Sequence, residues 1–179
     1  MDASHGETLD QTDATISDIR LIDATLVDKN GRDVAFPRDA VGDRIVVVNF
    51  VFTSCQTLCP LASATFKLAQ DRLGAHMEDD VRLITLTLDP QTDTPQRLRE
   101  FADQFEPGSN WLWLTGKAMD VRSVLRGLGV SDDNFTAHPP ATLIGDTKNG
   151  HWTQINVQAT PAQIEAEVTR MFAARGTTK

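Results

Sequence analysis

The sequence predicts a single α/β domain, and three observations support this fold class. Apolar runs with the composition of strands alternate along the chain with stretches that have helical periodicity. The chain has 179 residues, of which 40% are hydrophobic and 23% charged, and this is enough for one domain with a sizeable core. No internal repeat or linker divides it. We therefore expect one folded unit over residues 18–175, preceded by a flexible acidic tail over residues 1–17.

The first strands are recognised by their turns and their apolar side chains. Residues 19–27 and 34–36 flank the segment DKNGR, in which Asn30-Gly31 is a strong signal for a β-hairpin. Residues 45–52 are nearly all β-branched or aromatic, as in a central strand that is covered on both faces. Residues 81–88 have a similar composition and predict a second buried strand.

The helices are recognised by apolar spacing and by their first residues. Pro60 opens a helical stretch that ends near Gly74, because proline fits the first helical position well. A second helix begins at Thr94-Pro95. The remaining elements are a strand at 111–114, a helix through 121–128, a hairpin of residues 141–144 and 151–155, and a last helix that begins with a capping box of Thr160 and Gln163.

This order of elements predicts how the sheet is built. Strands that alternate with helices imply parallel neighbours joined by crossover helices. One hairpin stands at the N-terminal end, and a second hairpin with a helix stands at the C-terminal end. The order indicates a thioredoxin-like domain with a central, mostly parallel sheet and flanking helices.

Charge and hydropathy exclude several classes of function. The net charge of −8 argues against a nucleic-acid partner, for which a basic face is expected, and against an anionic membrane surface. The longest apolar run, residues 45–52, is far shorter than the roughly 20 residues of a membrane span. No signal-peptide pattern opens the chain, so we expect any export signal or membrane anchor to lie outside this sequence.

Both cysteines of the chain, Cys55 and Cys59, lie in one short segment. This segment follows the predicted central strand and leads into a helix, at the carboxyl edge where open α/β sheets place their sites. The N-terminus of a helix favours thiolate over thiol, and the thiolate is both the nucleophile and the metal ligand. The location therefore suits either redox chemistry or metal binding.

The spacing of the cysteines leaves several chemistries open. Thioredoxin-type redox pairs have two intervening residues, whereas three intervene here and can let the sulfurs hold a metal ion between them. Structural zinc and iron–sulfur clusters usually need four ligands, so copper is the best metal candidate for a soft thiolate pair. A redox pair, an inert disulfide and two buried thiols remain as alternatives.

Several motifs resemble those of the Sco/SenC copper proteins. The segment FVFTSCQTLCP resembles the T-x-C-x-x-x-C-P signature of the family, and LTLDPQTDTPQRLREFA is similar to its D-P-x-x-D-T segment between a strand and a helix. The segments WLWLTG, TLIGDTKNG after His138, and TQINVQATPAQIEAEV extend the resemblance over roughly residues 20–172.

The resemblance implies a ligand set, a function and a location. Proteins of this family bind copper, as Cu(I) and also as Cu(II), through two cysteines and one histidine, which here are Cys55, Cys59 and His138. They help to load the dinuclear copper centre of cytochrome c oxidase, as metallochaperones or thiol reductants. The implied partner is the copper-bearing subunit of that oxidase or another copper chaperone. We expect a monomeric domain of an anchored or exported protein, on the periplasmic side of a bacterial inner membrane or in the equivalent intermembrane space.

The segment around His138 has a second interpretation. Ala137 stands where the family usually has aspartate, and one residue fewer separates the histidine from the next strand. The sequence HPPATLI also fits the cis-proline that thioredoxin-like redox proteins place opposite their thiols, at Pro140 or Pro139.

Acidic residues and other histidines are weaker candidates. Asp89 or Asp93 could orient His138 by a hydrogen bond, with Asp89 the first candidate, or could serve only in a turn. The remaining histidines are expected at the surface, and they are His5, His76 and His151.

Two hypotheses from other classes remain beside copper binding. A metal-independent thiol–disulfide oxidoreductase that uses the Cys55/Cys59 pair would turn over a disulfide substrate without His138. A protein-interaction module with an inert disulfide would keep its partner after both cysteines are changed to serine.

Overall fold

The computed structural model describes residues 14–16, 18–56, 58–77, 79–130, 141–155 and 159–177. The strands are β1 (Ala14–Ile16), β2 (Ala24–Asp28), β3 (Asp33–Phe36), β4 (Ile45–Val51), β5 (Val81–Thr87), β6 (Trp111–Thr115), β7 (Thr142–Asp146) and β8 (His151–Ile155). The helices are α1 (Leu58–Leu73), α2 (Pro95–Asp103), α3 (Ala118–Gly127) and α4 (Pro161–Thr177), and a 3₁₀ turn over Gly74–Met77 follows α1.

The strands form one sheet in the order β1-β8-β7-β4-β5-β6-β2-β3. Strands β4, β5 and β6 are parallel, and the other described pairs are antiparallel. The predicted α/β fold class and both hairpins are therefore confirmed. The parallel part of the sheet is its centre, because the hairpin strands at either side return without a crossover helix.

Strand β4 lies in the middle of the sheet and is buried at every position. Helices α1, α2 and α4 cover one face of the sheet, and α3 covers the other. Side chains of β4 alternate between the two cores, with Val47 packed on the first face and Val46 on the second. This two-sided burial explains why residues 45–52 are almost uniformly apolar.

Two of the helices begin with the caps that the sequence predicts. The hydroxyl of Thr94 accepts the N–H of Arg97 at 3.2 Å and caps α2. In α4, the N–H of Gln163 donates to the Thr160 hydroxyl at 3.1 Å, and the N–H of Thr160 donates to Oε1 of Gln163 at 2.8 Å. These reciprocal bonds form a capping box, because each satisfies an amide that the helix leaves free.

Three local features differ from the sequence-based expectation. Strand β1 lies within the segment expected as a tail and pairs with β8, and three residues are too few for a periodic signal. Residues 19–23 are not part of β2, and the N–H of Arg20 donates to the Gly127 carbonyl at the end of α3, at 2.7 Å. Helix α1 begins at Leu58, two residues before Pro60. Proline is tolerated at this third position because the amides of the whole first turn have no hydrogen-bond partner within the helix, so the missing N–H of Pro60 breaks no bond. The domain limits at residues 18 and 175 remain a prediction.

No helix within the described ranges is long and apolar enough to cross a membrane.

Candidate metal and thiol site

Cys55 and Cys59 lie on the two sides of the junction between the loop after β4 and helix α1. Cys55 is in the loop and partly exposed, whereas Cys59 is in the first turn of α1 and only 7% exposed. The backbone N–H of Cys59 donates to the Cys55 sulfur at 3.4 Å, and the N–H of Cys55 donates to the Phe52 carbonyl at 3.0 Å. The Cys55 sulfur therefore lies at the positive end of the helix dipole, as the sequence predicts.

The two cysteines are not joined by a disulfide bond, and their thiols have different surroundings. Burial raises the pKa of the Cys59 thiol to about 12, and its hydrogen bond with the Cys55 side chain acts in the same direction. A backbone hydrogen bond with Phe52 lowers the pKa of Cys59, but by less than these two effects raise it. At neutral pH Cys59 therefore keeps its proton until a metal ion or a new disulfide bond replaces it.

This difference predicts unequal reactivity of the two thiols. With iodoacetamide at pH 7.5, we expect the Cys59→Ser variant, which keeps Cys55, to react at least about tenfold faster than the Cys55→Ser variant. The physical reason is that Cys55 is more exposed, whereas Cys59 is buried and protonated. Mass spectrometry over a time course measures both rates. In urea the two variants should react alike, and equal rates in the folded proteins would contradict the assigned difference.

The D-P-x-x-D loop between β5 and α2 contacts the thiol loop through Asp93. Asp93 is fully buried, and its carboxyl group accepts hydrogen bonds from Thr53 and Thr87. Asp89 serves the turn with its backbone, since its carbonyl accepts the Asp93 N–H at 2.9 Å. Its carboxyl group has no hydrogen bond or ion pair within the part of the chain that the structure describes. The proposed bond from Asp89 to His138 remains a prediction.

The link between Asp93 and the thiol loop was missed from the sequence. Thr53 stands two residues before Cys55, and Thr87 is the last residue of β5, so both positions could have suggested a contact. Forty residues separate Thr53 from Asp93, however, and no local pattern pairs them.

His138, Pro139 and Pro140 lie outside the described residues, as does His5. Their predicted roles therefore remain predictions. Across the described ranges, no group of three His, Cys, Asp or Glu side chains is gathered to hold a metal ion. Within the described ranges, the thiol pair therefore brings together two soft donor atoms.

The remaining described histidines are remote from the thiols. His76 is exposed in the 3₁₀ turn after the far end of α1, and its ring packs on Phe172 with centroids 5.1 Å apart. His151 begins β8 and pairs with Asp146, which in turn pairs with Ile45 at the start of β4. Because the thiols follow the other end of β4, neither histidine is placed to bind a metal ion together with Cys55 and Cys59.

Fold and site together define a class of protein. A thioredoxin-like sheet carries a pair of thiols, not joined by a disulfide, beyond the carboxyl end of its central strand, with the second thiol in the first turn of a helix. This is the arrangement of a thioredoxin-like dithiol protein. The chain belongs to the SCO1/SenC family, whose model matches residues 21–173.

One curated relative is an SCO1 protein homologue of Bacillus subtilis. It is 32% identical over 93 residues, which are 51% of this chain and 47% of the relative. The chain matches about half the length of this and comparable curated relatives.

Solved structures of this family have the same fold. A SCO1/SenC family lipoprotein from Bacillus anthracis superposes with a TM-score of 0.71 at 23% identity, covering 87% of this chain and 95% of that chain. Yeast Sco1 with copper bound superposes with a TM-score of 0.70 at 18% identity, covering 93% of this chain and 97% of that chain. The third structure is BsSco, a member of the Sco family of cytochrome c oxidase assembly proteins in which a disulfide switch was identified. It superposes with a TM-score of 0.70 at 21% identity, covering 94% of this chain and 99% of that chain.

Proposed function

We propose that this protein binds copper through Cys55 and Cys59, with His138 as the third ligand, and supplies the ion to the copper centre of cytochrome c oxidase. The observation that supports the proposal most directly is the contact between the two cysteines at the start of α1, where the Cys59 N–H meets the Cys55 sulfur at 3.4 Å. Two adjacent soft sulfur ligands favour Cu(I) over harder ions. Copper is the cargo in this proposal and not a resident cofactor.

Copper binding at this site must be coupled to proton release. Cys59 is protonated at neutral pH, because burial raises the pKa of its thiol to about 12, and a metal ligand must be a thiolate. The ion therefore replaces the Cys59 proton, and copper affinity should rise with pH. The ion then passes to partner thiols by ligand exchange.

The relatives support a proposal for the partner and the location. BsSco is described as a cytochrome c oxidase assembly protein, and the Bacillus anthracis relative is a lipoprotein. By analogy, we propose an anchored, monomeric domain on the periplasmic side of a bacterial inner membrane or in the equivalent intermembrane space. The partner is then the copper-bearing oxidase subunit or another copper chaperone.

A second candidate function is thiol–disulfide exchange, and the unequal exposure of the thiols favours it. Cys55 is the more accessible sulfur, so its thiolate would attack a partner disulfide and form a mixed disulfide, releasing one partner thiolate. Cys59 would then attack Cys55 and release the second partner sulfur. The partner gains two electrons and two protons, and the Cys55–Cys59 disulfide remains.

One experiment separates the two functions. The copper-binding domain of an oxidase subunit, prepared metal-free as dithiol or as disulfide, is mixed with copper-loaded or metal-free protein. If the protein is a metallochaperone, copper should move to the dithiol partner in about equal stoichiometry. If it is a reductase, the metal-free protein should reduce the disulfide partner. Failure of both reactions would contradict the proposed function and its alternative.

A further inference from the structure

Asp93 lies between the thiol loop and the end of strand β5, and none of its surface is exposed. Its two carboxyl oxygens accept the backbone N–H of Thr53 at 3.3 and 3.2 Å, and the Thr53 hydroxyl also donates to Oδ1. The hydroxyl of Thr87 donates to Oδ2 at 2.7 Å. Several donors therefore offset the energetic cost of burying this carboxyl group. The same hydrogen bonds fix the positions of Thr53 and Thr87 relative to Asp93.

The contacts of Asp93 join the ends of three neighbouring strands. Thr53 follows β4, Thr87 ends β5, and Thr115, the last residue of β6, donates its hydroxyl to the Asp93 carbonyl at 2.7 Å. From the solvent side, Arg97 donates Nε and Nη2 to the Thr53 hydroxyl oxygen at 3.4 Å each. Because this oxygen accepts from Arg97, the hydrogen of the hydroxyl is directed toward Asp93.

Thr53 lies in the turn that leads directly to Cys55. The N–H of Cys55 donates to the Phe52 carbonyl at 3.0 Å, so residues 52–55 form a tight turn with Thr53 inside it. Cys59 is held by helix α1 and by its burial, and its N–H contacts the Cys55 sulfur at 3.4 Å. The anchoring of Thr53 is therefore a second constraint on the relative position of the two sulfurs, beside that contact.

We propose that Asp93 and Thr53 are positioning residues that hold Cys55 against Cys59, so that the thiol pair is preorganised for copper binding or for disulfide formation. For copper, this inference rests on the proposed function. The position of the two thiols can also be measured in the metal-free protein, and the two ideas are therefore tested separately.

The first measurement is the equilibrium of the metal-free protein with glutathione. One molecule of glutathione disulfide oxidises the Cys55/Cys59 pair, one protein disulfide forms, and two molecules of reduced glutathione are released. The equilibrium constant gives the effective concentration of one thiol at the other. Wild type is compared with Thr53→Val, which removes the hydroxyl, with Thr53→Ser, which keeps it, and with Asp93→Asn.

Thr85→Val is the matched control. Thr85 is as buried as Thr87 and lies on the same face of β5; its hydroxyl donates to Asn49 at 2.7 Å and accepts the indole N–H of Trp111 at 2.9 Å. The control therefore loses two buried hydroxyl hydrogen bonds in the same strand without touching the thiol loop, and is at least as severe a test of lost stability as Thr53→Val. It reports the effect of lost stability alone.

We expect Thr53→Val and Asp93→Asn to lower the effective concentration by about tenfold or more, the scale of one lost hydrogen bond to a charged group. Thr53→Ser and Thr85→Val should stay within about twofold of wild type, since each leaves the Thr53–Asp93 contact in place. An unchanged value for Thr53→Val, or an equal fall for Thr85→Val, would overturn the inference. If Asp93→Asn does not fold, the pair of Thr53 variants still decides the question.

The second measurement is competitive Cu(I) binding by the same variants. Loss of a group that orients a ligand typically lowers metal affinity by about 10–100-fold, and we expect this for Thr53→Val but not for Thr85→Val. A wild type that binds no copper, with the glutathione effect intact, would refute the proposed function and leave the positioning role. Tight copper binding together with glutathione values that do not respond to Thr53→Val would refute the positioning role alone.

Discussion

Replacing both Cys55 and Cys59 by serine will abolish tight Cu(I) binding, and replacing His138 by alanine will weaken it by more than about 100-fold. In the proposed site the double change removes both soft ligands, and hydroxyl groups do not replace thiolates for Cu(I). Loss of a group that merely supports a ligand costs about 10–100-fold, so loss of a ligand itself should cost more. An anaerobic titration of the reduced protein against a competing chelator measures each affinity.

His151→Ala is the control for the histidine change. His151 lies at the opposite end of the sheet from the thiols and contacts Arg170, at 3.2 Å between Nε2 and Nη2. Its replacement should leave copper affinity within about twofold of wild type, as expected for a change that touches no ligand. Copper binding that is tight and indifferent to His138→Ala would remove His138 from the ligand set. It would shift the proposal toward thiol–disulfide exchange.

Arg175→Ala will destabilise the fold by about 3 kcal/mol at pH 7, without changing copper affinity. Asp146, at the end of β7, is 1% exposed, and Arg175 donates Nε and Nη2 to its two oxygens at 2.8 and 2.6 Å. Removing the guanidinium leaves a buried carboxylate without its charged partner, which typically costs about 3–5 kcal/mol. The lower end applies here, because the N–H of Lys148 and the side-chain amide of Asn149 still donate to Asp146, at 3.0 and 3.2 Å. Urea unfolding at pH 7 measures the loss.

The pH dependence of this effect has a defined sign. Burial acts to raise the pKa of Asp146, but the hydrogen bonds and charge of Arg175, together with the backbone hydrogen bonds of Lys148 and Asn149, outweigh it and hold the pKa below its ordinary value. A depressed pKa contributes stability above the unfolded value of about 3.9, and the contribution is lost as the pH falls through the folded value. The difference between wild type and Arg175→Ala should therefore be full at pH 7 and shrink below about pH 4.

Arg38→Ala is the control for the ion-pair change. Arg38 forms an exposed pair with Asp39, with side chains 81% and 53% exposed. Solvent screens such an exposed pair, so this variant should unfold almost as wild type does. An equal loss of stability in both variants would contradict the special role of the buried pair.

Local patterns were sufficient for most of the secondary structure. Asn30-Gly31 marked the first hairpin, and the capping box of Thr160 and Gln163 marked the start of α4. Apolar composition marked β4 and β5 as buried strands. Each signal depends on residues a few positions apart, and their physical effects are equally local.

Pairing between distant segments was less accessible. Strand β1 was missed, because its three residues are held by hydrogen bonds to β8 and have no pattern of their own. Residues 19–23 have strand-like composition, but Arg20 bonds to the end of α3, which a periodicity cannot show. Both features depend on hydrogen bonds to segments that are distant in sequence and become neighbours only in the folded chain.

The sequence by itself determined which chemistries are candidates for this protein. Two thiols separated by three residues, between a buried strand and a helix, favour soft-metal or disulfide chemistry and leave inert thiols as the alternative. The tertiary structure decided which thiol is exposed and which carboxyl group anchors the thiol loop. Asp93 takes that role and Asp89 does not, because a buried carboxyl group must meet donors, and the fold brings Thr53 and Thr87 to Asp93.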